Sequence, residues 1–264
     1  MSESGSGAHF YFPQTALQPA SDGGFIVNGS KQFVTNGAHA DSYVVSTTGG
    51  PNAQTGEFSC VVMDQDAPGM VWQEAWKGLG MHGNSSRAVL FKDVPVPAAN
   101  LLGSPGDQTW YVFEVVAPYF LMAMAGTYLG IAQAALDVSI EHLRGRRYAH
   151  SGASLAQEPV LQHRIAEMWM EVQKAREFIF NAAYLGDSGS AKSLPHILAC
   201  KAEAGDTAVR IANEALTLCG GWAYRENNLP ARLLRDARAS HVMAPTTDIL
   251  KQWAGRALLG LPLL

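Results

Sequence analysis

Cysteine is scarce in this chain of 264 residues: Cys60, Cys200 and Cys219 are scattered, and none sits in a CxxC pair. That excludes a disulfide framework and a cysteine-built zinc site, and it predicts three buried thiols. Charge is also sparse, at 16% of residues with a formal net charge of −4 and a pI near 6.0. No run of five or more like charges occurs, so the chain offers a polyanion no electrostatic footprint, and nucleic acid is not an expected partner. Apolar runs read as short, with none reaching the roughly 18–20 residues that span a bilayer. The opening MSESGSGAHF lacks the basic and apolar regions of a secretory signal. A cytoplasmic protein without a membrane span is therefore expected. The eight histidines form no HxxxH-type pair and do not cluster with the cysteines, so no metal site is expected. GNSSR at 83–87 is not a nucleophile elbow; its serines read as the end of a strand turn, and a hydrolase triad has no support.

What is present is apolar content, 47% of residues, enough for one large core or two modest ones. The texture changes once, near residue 105. Before it, GFIVNG, SYVVSTT, FSCVVMD and AVLFKDVPV are β-branched or aromatic runs punctuated by Gly, Asn, Asp and Pro, the pattern of strands and turns. After NLLGSPGDQ, long Ala-, Leu- and Glu-rich stretches carry apolar residues every three or four positions, the pattern of amphipathic helices. Helices are predicted from near Pro118 through LGIAQAALDVSIEHLRGRR, from Pro159 to the stop GDSGS, and from Pro195 to Gly220 and Gly221. Two more are predicted in LPARLLRDARASHV and TTDILKQWAGRALLG. The expected fold is α+β: a β-barrel-like or β-sandwich domain over 1–105, then an antiparallel helix bundle over 106–264.

The order of segments SESGSG, GFIVNGSKQFVTNGAHADSYVV, KGLGMHGNSSRAVLFKDVPVPAANLLG, GIAQAALD, RIAEM, CGGWAY and LLRDAR resembles the middle and C-terminal domains of the acyl-CoA dehydrogenase family. The resemblance implies a flavoprotein that holds FAD, with FMN less expected, between the β-domain and the helical bundle and commonly against a second subunit. By position, Phe33, Val34 and Thr35 resemble the segment that covers the flavin ring and hydrogen-bonds its pyrimidine edge. Family members often have tryptophan at the first place, so Phe33 keeps the aromatic face and loses the indole donor. Read without the resemblance, KQFVTNG is a strand ending in an Asn-Gly turn. Ser2, Gly5, Ser6 and Gly7 resemble the loop near flavin and thioester, where glycines let the main chain approach a ligand; alone, the segment reads as a disordered terminus. Gly220 and Gly221 resemble the glycine pair that reaches the adenosine of FAD, and they also serve as a helix stop. Arg147, with Arg146 beside it, is the candidate for the pyrophosphate, an exposed helix-end arginine being the alternative.

The resemblance also exposes a gap. α,β-Dehydrogenation of an acyl thioester needs a base for the α proton while the β hydrogen leaves as hydride, and relatives use a glutamate. Its usual place, followed by glycine and threonine after the RDA-type segment, is held here by Ala244, Pro245 and Thr246. Its less common place, early in the first long C-terminal helix, is held by Phe120. His241, Asp248 and Glu114 are substitutes near enough in sequence, with His241 favoured because imidazole titrates near neutrality. Asp248 also reads as a helix-start residue, with Thr246 as cap and flavin contact. The N-terminal helical domain of about 120 residues that relatives carry is not found before SESGSG. The expected partners are an acyl thioester, an electron-acceptor protein, and a homo-oligomer or a heteromer that supplies the missing helices. Besides a dehydrogenase with an unusual base, a flavin-dependent monooxygenase on the same fold and a catalytically silent subunit remain open.

Overall fold

The computed structural model describes residues 1–50, 54 and 56–264. The chain forms two compact units, 1–78 with 82–117, and 79–81 with 118–264.

The first unit is built of strands. β1 (Ala16–Pro19), β2 (Phe25–Val34), β3 (Ser42–Thr48), β4 (Phe58–Asp64), β5 (Met70–Trp72), β6 (Arg87–Val96) and β7 (Leu101–Leu102) form two antiparallel sheets, ordered β1-β2-β6-β5 and β3-β4-β7. Four of these strands fall on the four apolar runs of the sequence. β1, β5 and β7 were not foreseen, because two to four residues are too few to show a period. Leu17, Val27, Val89, Phe91, Val94 and Val96 of the larger sheet pack with Val45, Val61 and Met63 of the smaller one. This shared core makes the unit a sandwich, as alternation on half-buried strands requires. The β2–β6 pairing is irregular twice: between Val27 and Gly29, where the extra residue lies on β6, and between Lys31 and Val34, where it lies on β2. Opposite the first bulge β2 needs glycine: Gly29 has φ +147°, and a Cβ there would stand 2.8 Å from Thr15 Cα. Cys60 is buried in this unit.

The second unit is helical: α1 (Ala117–Gly145), α2 (Pro159–Asp187), α3 (Ser193–Ala223), α4 (Leu229–Val242) and α5 (Thr247–Leu258). α3 is central and packs against α2, α4 and α5. The expected helices recur, with one difference at the start. Helical structure begins at Gln108 and passes through a π-helical stretch, Tyr111–Val116, before α1. Pro118 therefore does not open a helix out of a loop. Cys200 and Cys219 are buried here. α1 also corrects the expectation that no apolar stretch reaches membrane-spanning length, since the helical stretch 111–145 is long and apolar enough, by length and composition, to cross a membrane. From Ala117 to Leu136 no charged side chain interrupts it; scattered Thr, Tyr and Gln made the run look shorter. Core helices share this composition, yet only 28% of its most apolar window is buried, and Tyr119 and Phe120 are exposed.

Candidate functional site

The N-terminal segment is tied into the β-sandwich by a buried ion pair. Glu3 accepts from Lys31 Nζ, from the Gln14 N–H, and from the N–H and hydroxyl of Thr15, the last two at 3.2 and 2.8 Å. Lys31 Nζ donates also to Ser46 Oγ at 3.0 Å. Burial pushes the Glu3 carboxyl up, but Lys31, the Gln14 N–H and Thr15 together outweigh it and hold the carboxyl below its ordinary range. The Ser2 carbonyl accepts from Gln32 N–H at 2.8 Å, and Ser6, buried, turns its hydroxyl to the Glu3 carbonyl. A segment that reads as a loose terminus is thus ordered by one carboxylate. Glu3 and Lys31 were not singled out in the sequence, where Lys31 sits in a polar stretch although it keeps the two-residue phase of the buried Val27 on β2.

At the bulge of β2, between Lys31 and Val34, the backbone carries Phe33 into the left-handed region, φ +54°, with its side chain 62% exposed. Its ring meets Trp76 edge-on, with centroids 6.0 Å apart. A non-glycine residue in that region costs of order 1–3 kcal/mol and persists where surrounding bonds over-determine it. They do here. Gly37 N–H donates to Val34 O and Ser85 O, Asn36 N–H donates to Asn84 O, and Ser85 Oγ donates to Gly37 O. Tyr43 OH donates to Asn36 O at 2.7 Å. The turn after Val34 and Thr35 is therefore no simple hairpin; GNSSR staples it in place.

In the helical unit, Gly220 breaks α3 with φ +61° and ψ −151°, a conformation open in practice to glycine alone. A Cβ built at Gly220 or Gly221 would meet nothing within 4 Å, so the main chain there is approachable. Trp222, just beyond, stacks on His142 of α1 at 5.0 Å. Arg147 is exposed after α1 and gives one N–H to Gly152 O at 3.1 Å, leaving most of its fork to solvent.

The stretch after the RDA-type segment joins α4 to α5. Ala244 is half-buried, and Thr246 caps α5 by accepting from Ile249 N–H. Asp248 is exposed in the first turn of α5, where a carboxylate suits the helix dipole. His241 Nε2 lies 3.0 Å from Asp206 Oδ1, and its Nδ1 lies 2.9 Å from Arg238 Nη1. Arginine can only donate, so Nδ1 accepts and the ring proton sits on Nε2, facing Asp206. Asp206 Oδ2 in turn accepts from Lys251 Nζ at 2.6 Å. Glu114 is exposed on the π-helical stretch of the first unit, and Phe120 is exposed on α1. Among the described residues no group of three or more His, Cys, Asp or Glu side chains could hold a metal ion.

Residues 1–94 match the model of the acyl-CoA dehydrogenase middle domain, and residues 114–259 that of the acyl-CoA dehydrogenase C-terminal domain. The chain belongs to the acyl-CoA dehydrogenase family. It is 31% identical over 235 residues to cyclohex-1-ene-1-carbonyl-CoA dehydrogenase of Geobacter metallireducens, a match spanning 89% of this chain and 61% of that protein. It is 29% identical to the short-chain-specific acyl-CoA dehydrogenase of Megasphaera elsdenii, over 98% of this chain and 67% of that one. The structure of butyryl-CoA dehydrogenase from Megasphaera elsdenii superposes with a TM-score of 0.90 at 28% identity, over 98% of this chain and 66% of that one. The chain thus spans about two thirds of the length of these relatives. The expected α+β architecture, strands first and helices after, is that of this family. Its members are flavoproteins.

Proposed function

We propose that this chain holds FAD as part of an acyl-CoA dehydrogenase-type oxidoreductase, takes an acyl thioester, and has neither of the family's usual glutamates. The observation that carries the reading is Phe33: an exposed aromatic ring on a strained, over-determined bulge, in a segment that occupies the family's flavin-covering place. Beyond the edge-on contact with Trp76, exposing a large apolar ring while straining its backbone gains little in the free chain, and it suits a flat partner. In the β unit, Phe33 offers that face, Val34 and Thr35 offer main-chain groups beside it, and Ser2 and Ser6 belong to the pinned segment near the thioester. In the helical unit, Gly220 and Gly221 leave main chain open to an adenosine group. Arg147 keeps donors free for a pyrophosphate, and Thr246 and Asp248 stand at the N-terminus of α5, where N–H groups favour an anion. Bound flavin supplies the acceptor for the hydride leaving the β carbon of the thioester.

For the α proton, Ala244 and Phe120 offer nothing that titrates. His241 has both ring nitrogens engaged, so accepting a proton there means displacing Arg238. Asp248 and Glu114 carry exposed carboxylates. Oligomerisation and transfer of electrons to an acceptor protein follow from the same reading.

The test is to purify the chain, reconstitute it with FAD, and follow the visible flavin band on anaerobic addition of a short acyl-CoA. Flavin retention is expected, with slow bleaching. Ala244→Glu restores a carboxylate at the usual place and is expected to accelerate bleaching by about a hundredfold, the ordinary share of a positioned base. A chain that stays colourless with both FAD and FMN sinks the proposal. The absence of a titratable group at both 244 and 120 favours a second reading, a monooxygenase using reduced flavin and oxygen. Oxygen consumption supported by reduced flavin, with no bleaching by thioesters in either variant, would select it. Flavin retention with neither activity would leave a silent subunit.

A further inference from the structure

The α4–α5 turn is organised around a group that the proposed chemistry does not use. Lys201, in the first half of α3, is 1% exposed. Its Nζ donates to three main-chain carbonyls: Ser240 O at 3.2 Å, Met243 O at 2.7 Å and Pro245 O at 2.6 Å. An ammonium has three donors, and all three are used on oxygens that the end of α4 and the following turn leave without helical N–H partners.

We propose that Lys201 is a positioning residue: its buried ammonium gathers the carbonyls of Ser240, Met243 and Pro245 and thereby sets the turn that carries Ala244 and presents Thr246. If packing alone were needed here, an apolar side chain would serve without the desolvation of a buried charge. Burial lowers the Lys201 amine to about 8, so the group is still largely an ammonium at neutral pH. The helices approach closely beside it: a Cβ at Gly205 would lie 2.7 Å from Ser240 Cβ. The turn is braced from its other side too. Asp206, one residue beyond Gly205, takes His241 just before the turn and Lys251 just after it, and Thr247 Oγ1 donates to the same Ser240 carbonyl that Lys201 holds. An inner tripod and an outer clasp thus enclose 241–246.

The inference concerns the turn itself and rests on the flavoprotein reading only in its second readout. The first readout is hydrogen exchange in the flavin-free full chain, followed by mass spectrometry. Lys201→Met is expected to accelerate exchange over 240–250 by about tenfold, the loss that charge-assisted bonds imply, while α2 keeps its parent rate. Unchanged exchange over 240–250, or an acceleration spread equally over α2, overturns the proposal. If Lys201→Met does not fold, the unaltered chain decides. Its 243–246 turn must exchange more slowly than the 224–228 turn of the same unit, and equal rates overturn the proposal. The second readout is the affinity for FAD and the shape of its visible band. Lys201→Met is expected to weaken binding by about tenfold and shift the band. Faster exchange with unaltered affinity and band overturns the functional half of the proposal. A parent chain that binds no flavin counts against the flavoprotein reading alone and leaves the exchange comparison standing.

Discussion

Each unit of this molecule buries one lysine, and the two are satisfied in opposite ways. Lys31 of the β-sandwich meets a carboxylate, Glu3, and a hydroxyl, Ser46; the three hydrogen bonds of Lys201 in the helical unit all go to main-chain carbonyls. Both amines are pushed below their ordinary value by burial, and for Lys31 the Glu3 carboxylate pulls the other way. The difference follows from what each kind of secondary structure leaves over. A sheet consumes its backbone groups in ladders, so a charge buried in it must find a side chain. A helix end leaves carbonyls unpaired, and a lysine can collect them. The units also differ in where strain is kept. Every described non-glycine residue with positive φ lies between Phe33 and Asp93, in the first unit or the 79–81 segment, whereas the helical unit breaks its longest helix at a glycine, Gly220.

The comparison can be broken hardest at Lys31. Lys31→Met leaves Glu3 a buried carboxylate without its counter-charge and is expected to cost about 3–5 kcal/mol, read by urea unfolding. The pH dependence follows from Glu3. With its folded pKa below the ordinary 4.5, its contribution is present above that pH and lost as pH falls through the folded value. The acid limb of the stability profile should therefore flatten in Lys31→Met. Lys201→Met is expected to cost less, about 1–3 kcal/mol, because neutral carbonyls and not a charge are left unpaired. Here the pH effect lies at the alkaline side. The unfolded chain holds the Lys201 proton up to about 10.5 and the folded chain only to about 8, so the parent should gain stability relative to Lys201→Met as pH rises between them. Phe33→Gly sharpens the contrast in strain. It is expected to stabilise the β unit by about 1 kcal/mol while weakening FAD binding, and a variant that loses stability would show that the bulge is not strained. The smallest effect is expected from Asp206→Asn, under about 1 kcal/mol, since His241, Lys251 and Asp206 are all partly exposed and screened.

Much of the architecture was legible in the chain. β-Branched and aromatic runs placed β2, β3, β4 and β6, and proline and glycine punctuation placed α2 and α3, because these signals act over a few neighbours. The cap at Thr246 was legible for the same reason. The identities of Ala244 and Phe120, on which the proposed lack of a base rests, were equally plain. The sequence did not reveal how the turn between α4 and α5 is held. Lys201 lies in phase with Leu198, Gly205, Ala208 and Ala212 on α3, and that phase was the one available signal.

The amino-acid sequence by itself determined the order of strands and helices and the family, because local periodicity and residue identity suffice for each. Only the tertiary structure decided that Glu3 is buried with Lys31, that Phe33 is turned into the left-handed region, and that Lys201 gathers three carbonyls from some forty residues away. Each of these depends on groups distant in the chain sharing a place from which water is excluded, and no local pattern encodes that.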